Sequence, residues 1–379
     1  MPGLEAGTVT FTGAKTRNCR ICARHSLDET LLQFFFDKIC SLVYRDVANG
    51  HLATMTNRTL SDLSILFCLL LPILDALLAA AATSCERQWK ERLESGITAS
   101  RQLRFGDADR LLREAVSEAR QFGRNDLRYA RSLNELSQSL REQGKFSEAE
   151  RTCKEALSIC EEQLDPCDLR LCACLGNLSV IYFRQEKYEL AEALSEKAIA
   201  LDEKAGRNND PDYDYASYAA DLNGLAEIYR KQQRFAQAEA LCKRALKIEE
   251  KRLGPEHEEI ASTINNLGLV LDDQGKYTES EAYYRRALAI DVSRLGAEHS
   301  DVARDLNNLA SSCLEQGRFA EAEPQFKRAI SILEECFPSG HPLLATTLNN
   351  YAILLRQQGS NRQADAMDQR AEDMLQQIK

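Results

Sequence analysis

The sequence predicts an all-α fold, a solenoid of stacked antiparallel helix pairs, from three observations: its residue usage, an internal repeat and apolar stripes at helical spacing. Of 379 residues, 44% are hydrophobic and 28% charged, which excludes a wholly disordered chain, while 18 Gly and 8 Pro exclude collagen-like and Pro/Gly-rich classes. The length exceeds the roughly 100–200 residues of a typical single domain, so several domains or one elongated array are expected. Ala, Leu, Glu, Gln and Arg are in excess, and these side chains lose little rotamer freedom in a helix. A net charge of −10 repels a phosphate backbone on average, so no nucleic acid is expected as a partner.

A shift of 42 residues, as from Gln274 to Gln316, brings most of the C-terminal portion into register with itself. One anchor is Gln-Gly-Lys/Arg-aromatic, at Gln143-Gly144-Lys145-Phe146, Gln274-Gly275-Lys276-Tyr277 and Gln316-Gly317-Arg318-Phe319. Degraded copies are Gln185-Glu186-Lys187-Tyr188 and Gln232-Gln233-Arg234-Phe235, and Gln358-Gly359-Ser360-Asn361 has lost the aromatic. Each anchor leads into Ala-Glu or an equivalent, then an alanine at helical spacing: Ala156, Ala198, Ala245, Ala287, Ala329 and Ala371. Upstream lies a second stripe, such as Leu133, Leu136 and Leu140, so each unit is two amphipathic helices. Small residues at one level of both helices (Ser137 with Ala149, Gly268 with Ser280, Ala310 with Ala322) allow close backbone approach. One pair cannot bury its stripe alone; stacked pairs can. The glycine of the anchor falls where the first helix stops.

These residues resemble the tetratricopeptide-repeat family, and Ile264-Asn265-Asn266-Leu267, Leu306-Asn307-Asn308-Leu309 and Leu253-Gly254-Pro255-Glu256-His257 resemble its kinesin-light-chain-type subgroup. The resemblance implies a right-handed superhelical solenoid whose concave surface, lined by the first helix of each pair, holds a peptide or partner protein, with no cofactor. It divides the chain into an N-terminal segment 1–59, with a mis-called start as one reading; a hydrophobic segment 60–84; a degenerate first repeat 86–126; and six repeats over 127–379 that end in a polar cap carrying Asp368 and Glu372.

On each first helix the face opposite the core stripe is read as the groove: Arg131, Asn134, Gln138, Arg141; Ala173, Gly176, Val180, Phe183; Ala220, Asn223, Glu227, Arg230. It continues through Ser262, Asn265, Leu269, Asp272; Arg304, Asn307, Ser311, Leu314; and Thr346, Asn349, Ile353, Arg356. Asparagine recurs at one site although it is a mediocre helix former. A primary amide donates and accepts at once, which suits it to clamp the main chain of an extended ligand; the alternative is that these amides bond to one another or to neighbouring helices. Arg131, Arg141, Arg230, Arg304 and Arg356 beside the apolar positions suit an acidic–hydrophobic peptide, against the alternative of solvated scatter.

Metal and catalytic readings find less. His257, His299 and His341 fall in equivalent loops of successive repeats, too far apart to share an ion, and are expected near helix starts where Glu258, Ser300 and Asp301 meet free amides. Asn208–Asp214 carries alternating carboxylates but lacks the Gly and bidentate Glu of a calcium loop. Cys19 and Cys22, with His25, have zinc-like spacing without a second ligand pair, while Cys153 and Cys242 read as small buried hydrophobes. No phosphate loop, His-Glu-x-x-His or nucleophile elbow occurs, so a non-enzymatic interaction scaffold is expected; the alternative is an enzyme or metal protein with its chemistry in residues 1–60 and the repeats as a regulatory arm.

Residues 63–82 are apolar enough to span a bilayer, although Pro72 and Asp75 make the span marginal. The readings are an anchor that tethers the chain to a membrane, a leader beginning at Met55 and ending near Ala82 or Cys85, or a buried helix packed on the first repeat. Membrane association or export is therefore expected, with a cytoplasmic location as the alternative favoured by the unpaired-looking cysteines.

Overall fold

The computed structural model describes residues 83–166, 168–207 and 215–378. Among them it forms helices and no strand. The helices are α1 (83–101), α2 (Phe105–Ala119), α3 (Leu127–Glu142), α4 (Phe146–Gln163), α5 (Arg170–Arg184), α6 (Tyr188–Arg207), α7 (Tyr215–Lys231) and α8 (Phe235–Leu253). There follow α9 (Ile260–Asp273), α10 (Tyr277–Leu295), α11 (Ser300–Glu315), α12 (Phe319–Cys336), α13 (Pro342–Gln357) and α14 (Asn361–Ile378). The chain divides into two compact units, residues 1–177 and 178–379. The apolar run 63–82, the Cys19/Cys22/His25 group and the acidic loop 208–214 lie outside the described residues.

In the first unit α1 packs on α2 and the short 3-10 turn Arg120–Phe122. A Cβ at Gly96 would meet Leu112 Cγ and Cδ2 at 2.8 Å, so only glycine permits this approach. Trp89 stands edge-on to Phe122 at 6.3 Å, and its indole N–H donates to Ser132 Oγ at 2.8 Å, which satisfies the one polar atom that burial of the ring would strand. Arg128 covers the other side of Phe122 at 3.8 Å. Ala108, Leu112 and Ala115 of α2 are buried.

In the second unit α7 with α8, α9 with α10, α11 with α12 and α13 with α14 form pairs, and each second helix also packs on the next first helix. The small residues expected at one level are buried: Ala226, Ala238, Ala310, Ala322, Ala352 and Ala364. Gly268 shows the requirement most sharply, because a Cβ there would overlap the Tyr284 ring, with Cζ at 2.8 Å and Cδ1 at 2.9 Å. The Tyr284 hydroxyl donates to Asp272 at 3.0 Å.

Every anchor ends a first helix in the same way. The amide of the residue after the turn donates five residues back: Lys145 to Leu140, Lys187 to Tyr182, Arg234 to Tyr229, Lys276 to Leu271, Arg318 to Cys313 and Ser360 to Leu355, all between 2.8 and 2.9 Å. That closure puts the preceding residue in the left-handed region, where Gly144, Gly275 and Gly317 sit at φ near 72°. In the degraded anchors Glu186 and Gln233 adopt the same conformation, at φ 60° and 61°, without the freedom of glycine.

The rest of the anchor clasps the preceding repeat. Gln274 and Lys276 both donate to Glu239, at 2.8 and 3.0 Å. Gln232 and Arg234 hold Glu192 at 2.9 and 2.5 Å, and Arg318 holds Glu281 at 2.5 Å with Gln316 beside it. The Arg318 guanidinium holds the Glu281 carboxyl down at about 2. Glu239 is likewise held at about 2, chiefly by Lys243 one turn on in its own helix and then by Gln274 and Lys276.

Helix starts depart from the sequence expectation. At His299 and His341 the imidazole itself is the cap: Nδ1 accepts from the amide two residues on, at 3.2 and 3.1 Å. Ser300 and Asp301, expected in that role, are displaced because the histidine lies one or two positions earlier, where a side-chain acceptor reaches the first turn. Asp126 and Asp168 do the same work at 2.8 and 2.9 Å. At α9 neither His257 nor Glu258 is the N-cap residue: that is Glu259, without a side-chain cap bond, and His257 Nδ1 accepts from the Glu259 amide at 3.3 Å in the turn before the helix.

Two outcomes follow from these local geometries. Gln233→Gly removes left-handed strain and is expected to raise the stability of the chain by about 1 kcal/mol in chemical denaturation, whereas a loss would mean that Gln233 is not strained. Burial lowers the His341 pKa from its ordinary 6.5. A depressed basic group contributes stability that is present above its unfolded pKa and lost as pH falls towards the folded one. The wild type should therefore lose more stability between pH 7.5 and about 5.5 than His341→Asp, whose carboxylate still accepts; parallel pH profiles would refute the imidazole cap.

Candidate functional site

The face read as a groove contains two kinds of residue. In the first unit Arg131 is exposed, while Asn134 is 5% exposed and its Oδ1 accepts from Asn177 Nδ2 at 3.1 Å. Asn177 Nδ2 also lies 2.5 Å from Ser137 Oγ, and its Oδ1 accepts from Arg141 at 3.1 Å. Asn134, Arg141 and Asn177 are thus a tie between α3 and α5.

The second unit repeats the arrangement. Asn223 Nδ2 donates to Thr263 Oγ1 at 2.5 Å, and Asn265 Nδ2 donates to Asp305 Oδ1 at 2.5 Å. Asn265 is 3% exposed and Asn307 5%. Asn308 Nδ2 reaches back to Asn265 Oδ1 at 3.5 Å, and Asn350 Nδ2 reaches Asn307 Oδ1 at 3.0 Å. The doubled asparagine has a reason: the second amide of one first helix returns to the first amide of the helix before it, 43 residues earlier. Sequence reasoning singled out the first amide and missed Asn177, Asn308 and Asn350; the signal was their own offset, one residue longer than the repeat. Asn349 differs from Asn265 and Asn307 in being exposed.

The arginines are engaged within the chain. Arg230 pairs with Asp273 at 2.9 Å. Arg304 pairs with Asp301 at 2.7 Å and lies near the buried Asp291 and Asp305, at 3.5 and 3.7 Å. Arg356 pairs with Asp365 at 3.0 Å and with Asp368, two of the polar residues of the last helix. Burial raises the carboxyl groups of both Asp291 and Asp305 above the usual aspartate range, and the proximity of two acids favours the protonated form of one.

Of the apolar side chains read as groove, Leu314 is buried in the core at 4% exposure, because its position turns inward, and Phe183 is half-buried. Val180, Leu269 and Ile353 share one repeat position, with Glu227 and Ser311 at that position in the repeats between; Val180 is 36% exposed, Ile353 45%, and Leu269 is half-buried. Leu269 lines a recess of about 30 Å³ with Ala226, Glu227, Arg230, Cys242, Asn266 and Val270. The arrangement offers apolar contact flanked by charge and already satisfied amides. Among the described residues no group of three or more His, Cys, Asp or Glu is placed to hold a metal ion, and no helix is long and apolar enough to cross a membrane. The alternative with chemistry in residues 1–60 lies outside the described residues.

Solved structures share the fold. The apo form of RapI is 17% identical, with a TM-score of 0.59 over 76% of this chain and 98% of that one. Aspartyl phosphate phosphatase F from Bacillus subtilis is 13% identical, with a TM-score of 0.59 over 98% of this chain and 97% of that one. Kinesin-light-chain-like repeats from Podosopora anserina are 21% identical, with a TM-score of 0.46 over 54% of this chain and 95% of that one. No curated protein matches the chain. A family model described as Tetratricopeptide repeat matches residues 133–204, 218–291, 259–335 and 301–377. These matches take in more than half of the sequence, and the chain belongs to the tetratricopeptide-repeat family.

Proposed function

We propose that the chain is a non-enzymatic interaction scaffold that binds an extended segment of a partner protein along the first-helix face of its repeats. The observation that supports this reading is the exposure of Val180 and Ile353 at one repeat position, with Leu269 in a recess at the same position between them in sequence. Apolar side chains left open on a face whose neighbours are otherwise hydrogen-bonded are surface that a ligand can cover. Arg304 and Arg356, on first helices of the same unit, suit acidic groups on the same ligand. The apolar run 63–82 would supply the tether if the scaffold acts at a membrane.

The exposed and buried residues of the face separate binding from stability. A displayed library of random peptides screened on the full chain should yield acidic–hydrophobic sequences whose affinity falls about tenfold or more in Val180→Asp/Ile353→Asp, with unchanged unfolding. Equal capture by wild type and variant would overturn the proposal. Asn265→Ala leaves Asp305 and Asn308 without their partner and should cost about 1–3 kcal/mol in denaturation. Asn349→Ala, at an exposed site, should change stability by less than about 0.5 kcal/mol. Similar stability losses at the two positions would show that burial does not distinguish them.

A further inference from the structure

Cys160 near the end of α4 and Cys174 in α5 face each other across the contact between consecutive repeats of the first unit, with their sulfurs 3.9 Å apart. Both are buried, at 6% and 4% exposure. Their positions are those at which the second unit sets Asp291 against Asp305 and Glu249 beside Thr263, so this is a point where neighbouring repeats meet side chain to side chain. Those two contacts use carboxylates or a hydroxyl, and the equivalent of Asp291 in the next repeat is Leu333; the contact at Cys160 and Cys174 uses two thiols.

We propose that Cys160 and Cys174 are a reversible redox lock, which hydrogen peroxide closes as a disulfide that joins α4 to α5. A disulfide needs sulfurs about 2.0 Å apart, so each must move roughly 1 Å, within the reach of small side-chain rotations. The two thiols share one hydrogen bond, in which either can be the donor. Either sulfur can attack first, and the chemistry is the same with the two exchanged. With Cys160 first, its thiolate attacks one peroxide oxygen, the O–O bond breaks, and the departing hydroxide is protonated to water, leaving Cys160 as a sulfenic acid. Cys174 sulfur then attacks the Cys160 sulfur; the S–O bond breaks, the S–S bond forms, and the departing hydroxide takes the Cys174 proton as a second water. Two thiols lose two electrons and two protons to one peroxide. A dithiol reductant returns both.

Covalent closure fixes Cys160 to Cys174 within the first unit, so the end of α4 and the start of α5 can no longer part at that contact. Cys153, whose sulfur lies 3.5 Å from the Cys174 carbonyl oxygen, packs against the pair as a buried neighbour. Cys336 is exposed and serves as an internal control for oxidant reaching the protein.

The test is peptide mapping by mass spectrometry of the full chain, exposed to hydrogen peroxide, alkylated in denaturant and digested without reductant. A peptide linked through Cys160 and Cys174, two hydrogens lighter than the sum of its parts and lost on treatment with dithiothreitol, is expected. Oxidation should also raise the unfolding midpoint of the wild type and leave that of Cys174→Ala unchanged. Oxidised Cys336 in a sample whose Cys160 and Cys174 both remain open to alkylation would overturn the proposal, and so would a link from Cys160 to any other cysteine.

Discussion

Helix pairs with an apolar stripe on each side are stable only when a neighbour covers that stripe in register, and in the second unit the register is held by a clasp onto a glutamate. Gln232 with Arg234, Gln274 with Lys276 and Gln316 with Arg318 each grip a carboxylate of the preceding repeat: Glu192, Glu239 and Glu281. The same few residues also end the first helix, through the backbone closure over a left-handed residue. One short motif therefore stops a helix, turns the chain and fixes the distance to the next pair. Slippage by one residue would break the closure and the clasp together, which makes the spacing of the repeat hard to vary.

The first helices carry a second, independent tie. Amides at Asn134, Asn265 and Asn307 satisfy partners on the next first helix, in a setting where an unpaired amide would be costly. This uses the hydrogen-bonding capacity of Asn134, Asn265 and Asn307, while Asn349 stays exposed. Also open on that face are Val180 and Ile353, with Leu269 half-buried, beside arginines paired with neighbouring carboxylates. A face organised this way favours a ligand that contributes side chains over one that relies on main-chain clamping.

The contact between a second helix and the following first helix shows more variety. It holds two thiols at Cys160 and Cys174, two acids at Asp291 and Asp305, and a Glu beside a Thr at Glu249 and Thr263. The packing of small residues tolerates this because the contact sits at the helix ends, away from the level at which Ala310 and Ala322 or Gly268 and Tyr284 decide how closely the backbones approach. Chemistry can change there without a change in architecture.

By itself the sequence determined the helices, their pairing and where each first helix stops, since apolar spacing and the turn glycine are local signals that act within a few residues. It also showed where small residues must meet, because Gly268 and the alanine pairs recur at a constant offset. It did not reveal that His299 and His341 cap helices through their own rings, a matter of which atom lies over a free amide. Nor could it say whether an asparagine faces a ligand or a neighbouring helix. Exposed Asn349 and buried Asn307 occupy the same repeat position, and Asn307 is the one that accepts from Asn350 of the next first helix. Burial and partnership are properties of the packed chain, so tertiary structure alone divides the residues that hold the repeats together from those free to bind.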